Sequence, residues 1–180
     1  CSREHSLTLV DVGCAGGVSF PDLMKLGEVY GIEPDADLID DSDPWVDRID
    51  QVVFDSNYQP GRHYRLITML DVLEHIEDDK AALLHLFDLL EPSGNLIVTV
   101  PALPSLWSHH DVINRHFRRY RRRQLRELLL ETGFTDLNIR YFMGWSLPLM
   151  YLRRVLNPAS LDSAPPTDEV RVPPALVNSL

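Results

Sequence analysis

Leu7, Thr8, Leu9, Val10, Asp11, Val12, Gly13, Cys14, Ala15, Gly16 and Gly17 form the stretch whose reading decides the fold. The first six residues have the apolar bias of a strand, and the small residues behind them suit a tight turn that brings backbone amides close to a ligand. A helix candidate follows over Phe20–Leu26, with Gly27 expected to cap it. Strand, small-residue turn and helix start together make the general device of nucleotide sites in doubly wound sheets. The spacing then excludes two ligands. A dinucleotide fingerprint would need glycine at Gly13, Ala15 and Val18 and fails at two of the three, and no Gly-Lys-Ser/Thr ending of a phosphate loop exists. An acid remains, Asp11, followed by glycine-like positions at Gly13, Ala15 and Gly17.

Outward from this loop, short apolar runs alternate with helical periods. Strands are expected at Leu7–Val12, Val29–Ile32, Gln51–Phe54, Arg65–Leu70, Leu96–Val100 and Leu137–Phe142. Helices are expected at Lys80–Leu90, with Leu83, Phe87 and Leu90 on one face before Pro92 and Gly94, and at Arg122–Glu131, which stops at Gly133. The alternation predicts an α/β fold with a mostly parallel sheet. Residues 35–50 hold seven aspartates and read as a short helix and loop, while residues 157–174 have the proline content of an irregular segment.

The 180 residues suit about one domain, and 44% hydrophobic with 24% charged residues excludes a disordered or fibrous chain. The two cysteines, Cys1 and Cys14, have no metal-finger spacing, and no apolar run reaches membrane-span length. The start lacks the order of a signal peptide, so a cytoplasmic protein is the expectation; the chain begins with Cys1 just before a strand and reads as trimmed. Charge is uneven. Residues 1–111 carry 21 acids and 6 bases, net −15; residues 112–180 carry 6 acids and 11 bases, net +5; together they give −10. That total argues against nucleic acid as a partner.

The acid and loop at Asp11, Gly13, Ala15 and Gly17 resemble motif I of the class I S-adenosylmethionine (AdoMet) dependent methyltransferases, with Ala15 in place of the middle glycine. The resemblance continues through Gly31-Ile32-Glu33 at the end of the second strand. It extends to YRLITMLDVLEH over residues 64–75, to the fifth strand with its proline and His110-Asp111 pair, and to the segment from His116 to Tyr120. In order and spacing this is similar to the bacterial branch with Asp-Val-Leu-Glu-His after the fourth strand, the branch of methyltransferase type 11/12. The resemblance implies a Rossmann-like fold, a mostly parallel twisted sheet with helices on both faces. Its final antiparallel strand is expected to be missing, or supplied atypically by residues 168–173. Residues 1–143 would be the AdoMet-binding core and residues 144–180 an apolar helix and proline-rich segment of the same domain.

The resemblance also implies site roles. Asp11, Gly13, Cys14, Ala15, Gly17, Glu33, Asp55, Asp71 and Leu73 would hold the cofactor: Glu33 on the ribose hydroxyls, Asp55 from its place after the third strand, Asp71 and Leu73 at the methionine end. His75, His110 and His116 are the general-base candidates. Methyl transfer to a small-molecule acceptor, at oxygen, is expected, with S-adenosylhomocysteine (AdoHcy) as product; the alternative is a catalytically silent AdoMet-binding partner or regulatory module. Asp71, Glu74 and His75, at relative positions 1, 4 and 5, would face one side of a helical turn and resemble a divalent-metal set, although the first acid is short and no metal is expected. Seven arginines between Arg115 and Arg126 suit an anionic acceptor or a lipid-linked sugar phosphate; the competing role is a helix start held by salt bridges. The apolar stretch from Tyr141 to Leu156 would pack on the sheet or touch a membrane surface.

Overall fold

The computed structural model describes residues 7–142, which divide into two compact units, one of residues 7–104 with 117–139 and one of residues 105–116 with 140–142. In the first unit β1 (Leu7–Val12) leads through the small-residue loop into α1 (Phe20–Leu23), β2 (Gly27–Ile32), β3 (Ile49–Asp50), β4 (Tyr64–Leu70), α2 (Asp79–Leu89) and β5 (Leu90–Thr99). The second unit contains α3 (His109–Ile113), and α4 (Arg122–Glu131) returns to the first. The five strands lie in the order β3-β2-β1-β4-β5, and every pairing is parallel. This is the Rossmann-like arrangement expected from the sequence. Among the described residues no final antiparallel strand follows β5.

Strand β1 is central and its side chains alternate between two apolar layers, as a strand covered on both faces requires. Val10 and Val12 join Ile32, Ile67, Met69, Leu83, Leu86, Leu125 and Leu129 on one face; Leu9 joins Val29 and Phe20 on the other. Helix α2 starts where Asp78 Oδ1 accepts from Ala81 N at 2.9 Å. Its buried stripe is Ala82, Leu83, Leu86 and Leu89, so the expected Leu83-Phe87-Leu90 face is corrected: Phe87 lies half outside, edge-on to Phe134 at 5.3 Å between ring centroids. Helix α4 has the bounds expected, and Gly133 behind it takes φ +99°.

Several expectations fail for traceable reasons. Gly27 opens β2 instead of capping α1, because a Cβ there would collide with the Leu7 backbone carbonyl across the strand pair. Pro92 and Gly94 fall inside β5, which starts directly after α2. The third strand is Ile49–Asp50, paired with Gly31 and Ile32, and residues 51–54 form a loop with Val52 and Val53 exposed and only Phe54 buried. Residues 137–142 form no strand; Leu137 and Ile139 rest against the core cluster without a ladder. The segment expected to run from Tyr141 to Leu156 lies largely outside the described residues, as do residues 168–173. No helix among the described residues is long and apolar enough to cross a membrane.

Candidate active site

The loop after β1 repeats a left-handed conformation at every second residue, with φ +73° at Gly13, +48° at Ala15 and +76° at Gly17. Glycine meets that demand without strain, and alanine meets it at a cost. Hydrogen bonds hold the loop in this shape. Gly13 N and Cys14 N donate to Ile32 O at 2.8 and 3.2 Å, Gly17 N donates to Cys14 O at 2.9 Å, and Phe20 N donates to Gly17 O at 3.0 Å.

Two buried acids brace the loop and its flanks. Asp11 accepts from Thr68 Oγ1 at 2.6 Å and from Ser19 Oγ, which ties β1 to β4 and to the start of α1. Burial pushes its carboxyl above the usual range, against the pull of these two hydroxyls. Glu33 accepts from Ala15 N through Oε2 and from Asp35 N through Oε1, each at 2.9 Å. A carboxylate offers about four acceptor positions, so two remain for a ligand. Beneath the loop the Cys14 thiol is buried and its ionisation is pushed up to about 12, first by burial and then by the charges of Asp11 and Glu33.

The remaining expected cofactor residues are placed less uniformly. Asp71 stands exposed at the end of β4 with φ +55°, and its N–H donates to Thr99 Oγ1 and Thr99 O at 3.0 and 3.1 Å. Leu73 is wholly buried in the core cluster. Asp55 is exposed within the loop after β3, where it accepts from Asn57 N at 2.7 Å. The Asp71, Glu74 and His75 set does not assemble as a metal centre. The chain passes Asp71 in a left-handed conformation and then forms a 3-10 turn, Leu73–His75, so the helical spacing that would align the three is absent. Glu74 is buried and His75 exposed, each offering a ligand atom within 4.8 Å of the other, but Asp71 joins no cluster of three such groups among the described residues.

The second unit holds the other two histidines. Asp111 is wholly buried, and its Oδ2 accepts from Ser108 N at 2.8 Å and from Ser108 Oγ at 3.1 Å, which starts α3. Its Oδ1 lies 3.0 Å from His116 Nδ1. A carboxylate can only accept there, so Nδ1 carries a proton. His110 instead places Nε2 2.9 Å from Asn114 Nδ2 on the exposed side of α3.

Two arginines of the segment, Arg118 and Arg119, reach into the fold, while Arg115, Arg121, Arg122, Arg123 and Arg126 are exposed. Arg118 pairs with Asp79 at 2.7 Å and donates to Glu77 O at 2.5 Å; Tyr120, buried, donates from its hydroxyl to the same Asp79 oxygen at 2.8 Å. Arg119 reaches Ala102 O at 3.3 Å, and Tyr120 N donates to Pro101 O at 2.9 Å. Residues 117–120 therefore tie the segment after β4 to the segment after β5. Arg118→Gln is expected to cost about 1 kcal/mol, a few degrees in Tm, with AdoHcy affinity unchanged. Thermal melting and calorimetry check this; a selective loss of binding with an unchanged Tm would contradict it.

Sequence reasoning missed Ser19, Thr68 and Trp45 as loop supports. Trp45 Nε1 donates to Gly16 O at 2.8 Å from 29 residues away, a separation no periodicity reports.

Comparison with known proteins agrees with this geometry. The family model described as "Methyltransferase domain" matches residues 2–139. No curated protein matches the sequence. Among solved structures, a putative methyltransferase of Bacillus halodurans superposes with a TM-score of 0.64 at 13% identity, covering 91% of this chain and 81% of that one. DesVI of Streptomyces venezuelae gives 0.51 at 18% identity over 57% of this chain and 46% of its own. Haemonchus contortus phosphoethanolamine N-methyltransferase 2, in complex with S-adenosyl-L-methionine, gives 0.59 at 15% identity over 88% and 40%. The chain thus spans less than half the length of the last two.

Proposed function

The chain belongs to the methyltransferase-domain family that its residues 2–139 match, and from that membership we propose that it binds AdoMet at the β1 loop and transfers the methyl group to a small-molecule acceptor, at oxygen. The observation that carries this is the pairing of the left-handed loop with Glu33, a buried carboxylate that holds the loop amide and keeps two acceptor positions for a vicinal diol. The bound sulfonium supplies an already activated methyl group, so the chain's own task is orientation and proton removal. In this reading Gly13, Cys14, Ala15 and Gly17 would form the cradle braced by Asp11, Asp71 and the backbone at Leu73 would border the methionine end, and Asp55 would contribute from the loop after β3. The cofactor suits this half of the molecule by charge as well, since its acids complement a sulfonium and an ammonium group.

Of the candidates His75, His110 and His116, the last is taken as the general base, supported by the buried Asp111 carboxylate that orients its ring through Nδ1. An acceptor hydroxyl requires such a base. The small-molecule assignment draws support from the phosphoethanolamine N-methyltransferase among the fold relatives. Localisation in the cytoplasm accords with the free, buried Cys14.

The test follows methyl transfer from labelled AdoMet to a panel of hydroxylated small molecules. His116→Gln is expected to lower kcat about a hundredfold while AdoHcy affinity stays within about twofold. Binding of AdoHcy without transfer to any acceptor would favour a catalytically silent module, and equal loss of kcat and binding would remove His116 from the chemistry.

A further inference from the structure

The acid-rich segment between β2 and β3 does more than connect two strands. Its Trp45 packs on Phe20, with ring centroids 6.0 Å apart, and lies so close to the loop that a Cβ on Gly17 would stand 2.5 Å from Nε1. Leu38 O from the same segment would be 2.8 Å from a Cβ on Gly16. The loop therefore has a second wall that its own sequence does not announce.

The loop's amides show what this wall controls. Gly13 N and Cys14 N donate to Ile32 O, Ala15 N to Glu33, and Gly17 N to Cys14 O. Gly16 N–H, in a half-buried residue, donates to no group among the described residues. It sits between two fixed peptides. On one side Glu33 holds the Ala15 N–H; on the other, the Gly16–Gly17 peptide is held at both ends, its carbonyl by Trp45 Nε1 at 2.8 Å and its N–H by Cys14 O at 2.9 Å. With both neighbours held, the peptide carrying Gly16 N–H keeps one orientation.

The geometry points to Trp45 as a positioning residue for the cofactor: its indole N–H fixes the Gly16–Gly17 peptide so that Gly16 N–H is presented as the loop's donor to an acceptor oxygen of the bound cofactor. This rests on the proposed AdoMet binding. The indole donor is the operative part, since a phenyl ring would keep the packing on Phe20 and lose the hydrogen bond.

AdoHcy is titrated by calorimetry into the wild type and Trp45→Phe, and by fluorescence into Trp107→Phe/Trp145→Phe, where Trp45 is the sole tryptophan. Trp45→Phe is expected to bind about tenfold more weakly. The single-tryptophan protein is expected to change its emission on binding, saturating with the calorimetric Kd. Wild-type affinity in folded Trp45→Phe, whatever its Tm, overturns the inference and assigns Trp45 to scaffolding alone; so does an emission that does not respond. Should Trp45→Phe fail to fold, the emission change by itself decides. A wild type that binds no AdoHcy overturns the proposed function, and this inference with it.

Discussion

Glu33→Ala is expected to weaken AdoMet and AdoHcy binding about a thousandfold. On the proposed site two charge-assisted hydrogen bonds to the ribose would be lost at about 1.5 to 3 kcal/mol each, and the Ala15 and Asp35 amides lose their shared acceptor at the same time. The second effect separates this structure from a simple ligand contact, because the loop that must receive the cofactor is itself held by the side chain removed. Calorimetry measures the affinity and circular dichroism confirms folding. Glu33→Gln sharpens the result: the amide keeps one acceptor oxygen but turns its NH2 toward a backbone donor, so binding should fall nearly as far. Unchanged affinity in a folded Glu33→Ala protein would remove Glu33 from the cofactor site.

Gly17→Val is expected to abolish measurable AdoHcy binding, again about a thousandfold or more, and to lower Tm by about 10 °C. Two independent costs coincide. The backbone stands at φ +76°, which a β-branched residue hardly tolerates, and its Cβ would lie 2.5 and 2.7 Å from Trp45 Nε1 and Cδ1 and 3.2 Å from Phe20 Cγ. Neither ring can yield freely, since they pack on each other. Retained binding in a folded Gly17→Val protein would mean that the loop serves another purpose.

The parts of the molecule legible in sequence are those determined locally. The loop at Gly13, Ala15 and Gly17 announces its left-handed backbone through residue size, and α4 declares both ends through its leucine spacing and Gly133. Glu33 stands directly after β2, where the apolar run at Val29–Ile32 ends, and its role is what the resemblance implies. What stayed hidden depends on partners distant in the chain. Arg118 finds Asp79 across 39 positions, and Asp11 finds Thr68 across 57, so neither arginine clustering nor a lone strand acid reveals what each one holds. The third strand was misplaced because Val52 and Val53 look like a strand by composition, whereas the pairing edge of β2 is already met by Ile49 and Asp50. The one-sided facing that the spacing of Asp71, Glu74 and His75 suggests presumes a helical turn, and the chain instead forms a 3-10 turn after a left-handed Asp71.

The protonated state of Cys14 has a consequence for chemical durability. Peroxides and disulfides react with the thiolate, not the thiol, so susceptibility to oxidation follows the ionised fraction. With its ionisation pushed up to about 12, Cys14 is held as the thiol at neutral pH. The two acids that shape the loop are also the charges that oppose this ionisation. Burial first, and the charges of Asp11 and Glu33 second, thereby make the sulfur atom of the loop a poor target for oxidation.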